Sequence, residues 1–156
     1  MIRKMNGADI PVVMEIWLET NIKAHDFISS EYWEKNYAAV GQMMQDAEIY
    51  VCEKHGEIEG FVGLTDNYVA GIFVKEKYQS EGIGKALLDY VKERKRELVL
   101  HVYEKNERAI KFYLREGFVK VKEQIEEENR EREYEMRWSK VKCCNSSLEM
   151  SAEKDR

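Results

Sequence analysis

Val74-Lys75-Glu76-Lys77-Tyr78-Gln79-Ser80-Glu81-Gly82-Ile83-Gly84-Lys85-Ala86 is the stretch that decides how this chain is read. Before it runs a segment of strand character, Tyr68–Val74. After it, Ile83, Leu87 and Val91 recur at helical spacing. A polar loop therefore feeds a helix whose first turn carries two glycines. The first amides of a helix have no intrahelical acceptor, and they sit at the positive end of the helix dipole. Glycine lets a ligand approach the backbone closely. Together these features specify an anion site suited to a phosphate or pyrophosphate. Two familiar phosphate loops are excluded. The Walker A pattern would need a glycine where Gln79 stands and a serine or threonine where Ala86 stands. The dinucleotide fingerprint would need a third glycine in place of Leu87, in a βαβ unit.

Working outward, the hydrophobic period alternates between helix and strand. Residues 1–5 form a short first strand. Asp9 is expected to cap a first helix, with Pro11 tolerated in its first turn. Ile10, Val13, Ile16, Trp17 and Thr20 carry that helix to about residue 23. Ser29 or Ser30 caps a second, with Trp33, Tyr37, Val40 and Met44 on one face. Segments 48–53 and 58–65 read as a hairpin around His55-Gly56-Glu57. Downstream, 92–97 reads as a charged, solvated helix end. Residues 98–103 read as a strand with Leu98, Leu100 and Val102 on one side. Asn106 caps a fourth helix, which Gly117 ends. Val119, Val121 and Ile125, then Tyr134, Met136 and Trp138, mark two last strands around Glu126-Glu127-Glu128-Asn129. The order is strand, two helices, three strands, helix, strand, helix, two strands. That order gives a mixed α+β layer fold, not a doubly wound sheet. The pattern lapses from Ser139, so 1–138 is expected as the domain and 139–156 as a flexible tail.

The 156 residues suffice for one domain with a real core. With 25 basic and 30 acidic residues the net charge is −5, so overall charge gives no drive towards nucleic acid and mildly favours a cationic partner. No apolar run approaches the length of a membrane span. No signal-peptide core follows the N-terminus, and the expected location is the cytoplasm. Cys52, Cys143 and Cys144 have neither CxxC spacing nor a neighbouring histidine, so no metal is expected. The sequon Asn145-Ser146-Ser147 is read as chance.

Gln79, Gly82 and Gly84 meet the pattern Gln/Arg-x-x-Gly-x-Gly/Ala. Asn106-Glu107-Arg108-Ala109-Ile110-Lys111-Phe112-Tyr113-Leu114-Arg115-Glu116-Gly117-Phe118 meets Asn-x-x-Ala-x-x-Phe-Tyr-x-x-x-Gly-Phe without a mismatch. In this order and on these elements, the two motifs resemble those of the GNAT superfamily of N-acetyltransferases, over about residues 1–138. Trp17, His25-Asp26-Phe27-Ile28, Tyr32 and Trp33 look like the small bacterial single-domain subgroup. The resemblance implies a three-layer α/β/α arrangement with a central, mostly antiparallel, splayed sheet. It implies acetyl-CoA as cosubstrate, and direct transfer of the acetyl group to a primary amine. The alternative is a non-catalytic acyl-CoA-binding or sensing module of the same fold.

The same resemblance assigns residues. The backbone of Ile72, Phe73 and Val74, at a bulged strand, would pair with the pantetheine arm. Gln79 belongs to the cofactor motif, and amides of Ser80, Glu81, Gly82, Ile83, Gly84 and Lys85 would hold the pyrophosphate. Asn106 would reach the pantetheine arm as well as capping its helix. Tyr113, on the same helical face as Asn106 and Ala109, would be the general acid for the departing thiolate. His25, Phe27, Trp33 and Tyr68 would line the acceptor side. Candidate bases are His25, Asp26, Asp66, His101 and Glu104, none with a decisive motif. The acceptor amine is not named by the sequence, although the subgroup leans towards lysine side chains. A homodimer is left open; no nucleic-acid or membrane partner is expected.

Overall fold

The computed structural model describes residues 1–140. The expectations for Cys143, Cys144, the sequon at Asn145 and the tail beyond residue 140 lie outside the described residues. The chain divides into two compact units, Met1–Val91 and Lys92 onward, with the division falling inside the third helix.

The first unit runs β1 (Ile2–Lys4), α1 (Ile10–Ala24), α2 (Ser30–Met44), β2 (Glu48–Lys54), β3 (Glu57–Thr65), β4 (Tyr68–Val74) and α3 (Ile83–Arg94) as far as Val91. Short 3-10 turns at Gly7–Asp9 and Glu76–Tyr78 precede α1 and follow β4. The four strands pair antiparallel in chain order, and Arg3, Val51, Phe61 and Phe73 line up across them. β2 turns into β3 through His55 (φ 51°) and Gly56 (φ 77°), the two left-handed positions of a tight hairpin. Glu59 and Ala70 are left without register partners, so β3 and β4 are each bulged by one residue. Val13, Ile16 and Trp17 bury one side of α1, which packs on α2, β3 and β4. Each such side chain contributes about 1.5–3 kcal/mol.

The start of α1 differs from expectation. Asp9 makes no side-chain cap for α1. Its carboxylate instead accepts the Asn6 N–H at 2.9 Å and pairs with Arg3 at 2.8 Å. Asn6 is the true cap, of the preceding turn. A bidentate guanidinium outcompetes a lone helix amide for the same carboxylate.

The second unit holds the end of α3, β5 (Glu97–Tyr103), α4 (Glu107–Arg115), β6 (Val119–Glu126) and β7 (Glu131–Ser139). β7 pairs antiparallel with β5 on one side and β6 on the other. Leu98, Leu100 and Val102 stand opposite Trp138, Met136 and Tyr134. Leu98, Leu100, Met136 and Phe118 are fully buried. Gly117 ends α4 at φ 94°, with Phe118 N–H returning to the Tyr113 carbonyl at 3.0 Å. Glu93, Arg94, Arg96 and Glu97 are exposed, in line with the solvated reading of 92–97, and Lys92 is the exception. Its ammonium donates to the Glu116 carbonyl at 2.5 Å and lies 5.9 and 5.1 Å from the ring centres of Phe118 and Trp138. An ammonium on a long stem can satisfy a helix end and cover aromatic rings together. Among the described residues, four helices and seven antiparallel-paired strands make the fold class mixed α+β, as the order of elements implies.

Candidate active site

The loop after β4 is braced from several directions. Tyr78 N–H donates to the Lys75 carbonyl at 2.8 Å, and Gln79 N–H to the Glu76 carbonyl at 3.2 Å. The Gln79 side-chain amide reaches back to the Val74 carbonyl at 2.9 Å. Lys75 N–H donates to the Glu59 carbonyl at 2.9 Å. The Glu57 carboxylate accepts from Lys75 Nζ at 3.0 Å and from the Tyr78 hydroxyl at 2.8 Å. These donors hold its carboxyl below the usual carboxylate range, Lys75 more than Tyr78; Glu57 in turn raises the Tyr78 phenol. Lys23, at the end of α1, pairs with Glu76 at 3.1 Å.

Past Gln79 the backbone turns left-handed twice, at Ser80 (φ 68°) and Gly82 (φ 87°). Ala86 N–H makes the first helical bond, to the Gly82 carbonyl at 3.0 Å. Ile83, Gly84 and Lys85 occupy the first turn of α3, where helix amides point away from the helix's own carbonyls. Such a turn followed by a helix start is a ready anion cradle. A Cβ added at Gly82 would meet nothing within 4 Å, so its glycine answers to backbone shape rather than crowding. The side chain of Gln79 is engaged inside the loop, and Lys85 pairs with Asp89 at 3.3 Å. Ile72, Phe73 and Val74 form the last part of β4, and Phe73 stacks on Phe61 at 4.8 Å.

Three of the four acceptor-side residues come together. The His25 ring stacks on Trp33 at 5.2 Å and meets Phe27 edge-on at 5.7 Å, while Trp17 and Tyr32 close on Trp33. The Trp33 indole N–H is buried with no acceptor among the described residues. Burial pushes His25 down to about 4, against smaller opposing effects from the Asn21 backbone and Asp26. Tyr68 opens β4, at the opposite end of the strand from Val74.

In the second unit Asn106 Oδ1 accepts the Ala109 N–H at 3.2 Å, so the cap is real. Tyr113 is buried, its ring edge-on to Phe112 and Phe118 at 5.2 and 5.4 Å. Of the candidate bases, Asp66 lies in the β3–β4 turn at φ 56°. Glu104 accepts from the Tyr134 hydroxyl at 3.0 Å. His101 is solvent-exposed and faces Glu135 across the strand pair at 3.6 Å. Among the described residues no cluster of three or more His, Cys, Asp or Glu could hold a metal, and no helix is long and apolar enough to cross a membrane.

The residues that brace the loop, Lys23 of α1, Glu57 and Glu59 of β3, and Lys75 and Tyr78, were invisible to motif reasoning. Glu57 and Tyr78 are 21 positions apart, and only the strand register brings them together.

A family model described as Acetyltransferase (GNAT) domain matches residues 45–120. The chain is 38% identical over 120 residues to the peptidyl-lysine N-acetyltransferase YiaC of Escherichia coli, covering 76% of this chain and 82% of that protein. The solution structure of apo YjaB from Escherichia coli shares the fold, with a TM-score of 0.78 at 22% identity over 88% of this chain and 96% of that one. So does yncA of Salmonella typhimurium, solved with acetyl-CoA, with a TM-score of 0.66 at 16% identity over 92% and 95% of the two chains. The chain belongs to the GNAT family, as an N-acetyltransferase.

Proposed function

We propose that this protein moves the acetyl group of acetyl-CoA directly to a primary amine, with protein lysine side chains as the acceptor class. The braced cradle at residues 80–85 carries the donor half, because its amides suit the cofactor's diphosphate. The acetyl-CoA held by yncA supports the same choice. The name of YiaC, a peptidyl-lysine enzyme, supports the acceptor half.

In this reading the amine nitrogen attacks the thioester carbonyl carbon. The C–N bond forms, the C–S bond breaks, and the thiolate leaves with a proton from Tyr113. A phenol near 10 and a thiol near 8.5 make that transfer uphill by about 1.5 units, or about 2 kcal/mol. The backbone at the end of β4 polarises the carbonyl, and proximity supplies much of the rest. A lysine ammonium, with pKa about 10.4, needs about 4.6 kcal/mol to reach its neutral form at pH 7. His25, near 4, is too weak a base for that proton. Its place is in the aromatic wall, and water carries the proton away. Cys52 is buried in β2, so no acyl-enzyme is invoked.

The test is mass spectrometry with acetyl-CoA and a panel of lysine peptides, free amino acids, polyamines and aminoglycosides. A lysine-peptide product of +42 is expected, with Tyr113→Phe lowering turnover about 100-fold at unchanged cofactor affinity. Product on small amines alone would overturn the acceptor class. Binding of acetyl-CoA without any product would point to an acyl-CoA-binding module.

A further inference from the structure

Glu57 is electrostatically out of place. A carboxylate close to an anion cradle weakens that cradle by repulsion. Yet Glu57 holds both ends of the Glu76–Tyr78 turn, through Lys75 Nζ at 3.0 Å and the Tyr78 hydroxyl at 2.8 Å. Lys77 Nζ lies 3.9 Å from the same oxygen that Lys75 contacts. The turn leads directly into Gln79 and the left-handed Ser80 and Gly82. Glu57 itself is fixed, since it is the first residue of β3 and pairs with Lys54 just after the tight hairpin. A hairpin corner thus grips the entrance of the loop. The Gln79–Val74 bond braces the loop's other side, from within.

We propose that Glu57 is a positioning residue for the cofactor: through Lys75 and Tyr78 it holds the Glu76–Tyr78 turn so that the amides from Ser80 to Lys85 are set for the diphosphate before it binds. The inference rests on the acetyl-CoA reading above. Its value to the protein is preorganisation, which raises affinity by removing the ordering cost from the binding step. The inference fixes the sign of an experiment. If Glu57 acted only as a nearby negative charge, neutralising it would tighten binding of the anionic cofactor. If it acts as a clamp, neutralising it loosens binding.

The experiment compares wild type, Glu57→Gln and Tyr78→Phe, with thermal melts to confirm folding. Calorimetry gives the Kd for acetyl-CoA, and steady-state kinetics are run with acetyl-CoA and with S-acetylpantetheine, which lacks the diphosphate. Each variant is expected to raise the Kd and KM for acetyl-CoA about 5- to 10-fold, with kcat at saturation within about twofold of wild type. The kcat/KM for S-acetylpantetheine should stay at the wild-type value, which a general loss of structure would not allow. The double variant should bind no more weakly than Glu57→Gln alone, because the two residues act through one contact. Unchanged or tighter acetyl-CoA binding by both single variants would overturn the clamp while leaving the proposed activity standing. An equal loss with S-acetylpantetheine would also overturn it. Failure of the wild type to bind acetyl-CoA would remove the activity and the clamp together.

Discussion

Mild acid should destabilise this protein through one imidazole. His25 is half-buried against Trp33 and Phe27, and burial holds it near 4 instead of 6.5. The unfolded chain takes up a proton at about 6.5 that the folded chain refuses until about 4. Above pH 6.5 neither state binds it, and the full stability is present. Between pH 6.5 and 4 the unfolded state gains, and below 4 the effect levels off. A gap of about 2.5 units corresponds to about 3.4 kcal/mol at most. Partial solvent access at a half-buried ring brings the expectation to about 2 kcal/mol. Urea unfolding at several values between pH 7.5 and 4 would measure this, on wild type and on His25→Phe. The phenyl ring keeps an aromatic against Trp33 and cannot titrate. Carboxylate contributions are common to both proteins and cancel in the difference. The stability of wild type relative to the variant should therefore fall by about 2 kcal/mol across the window. Parallel curves would refute the reasoning, as would an NMR titration placing His25 above pH 6.

Two further predictions concern the backbone ends of helices. Gly82→Ala forces a Cβ into a left-handed position with open space around it, so the cost is conformational, about 1–2 kcal/mol. Calorimetry should show a melting temperature lower by several degrees, and acetyl-CoA should bind more weakly if the cradle is the diphosphate site. Lys92→Met keeps the aliphatic stem but removes the ammonium from the Glu116 carbonyl and from the faces of Phe118 and Trp138. It should lower stability by about 2 kcal/mol, read by urea unfolding, while turnover at saturating substrates is unchanged.

Much of this architecture could be read locally. The helical spacing of Ile83, Leu87 and Val91 and the glycines before them defined α3 and its cradle. The alternation of Leu98, Leu100 and Val102 gave β5 and its buried face. Asn106 and Gly117 bounded α4 because caps are short-range chemistry. The failures are all competitions that local pattern cannot adjudicate. Asp9 was drawn from its helix by Arg3, six residues away. Lys92 looked solvated until Phe118, just before β6, and Trp138 of β7 came against it. His101, a candidate base, lies exposed beside Glu135, a neighbour that only register reveals. The shape of the loop after β4 was legible because its turns and helix start follow its own sequence. The supporting set around Glu57 was not, since it depends on how far β3 runs alongside β4.

Ser80 makes the loop after β4 a place where durability and the proposed cofactor binding pull apart. Its left-handed backbone is one that a side chain resists by about 1–2 kcal/mol, and glycine there would release that tension. Glycine would also loosen the loop before any ligand arrives, adding an ordering cost to binding. A laboratory lineage selected only for heat resistance should therefore drift to glycine or asparagine at position 80. A lineage selected for turnover at scarce donor should keep serine, and sequencing the two populations would show whether the strain is an accident of descent or maintained by selection.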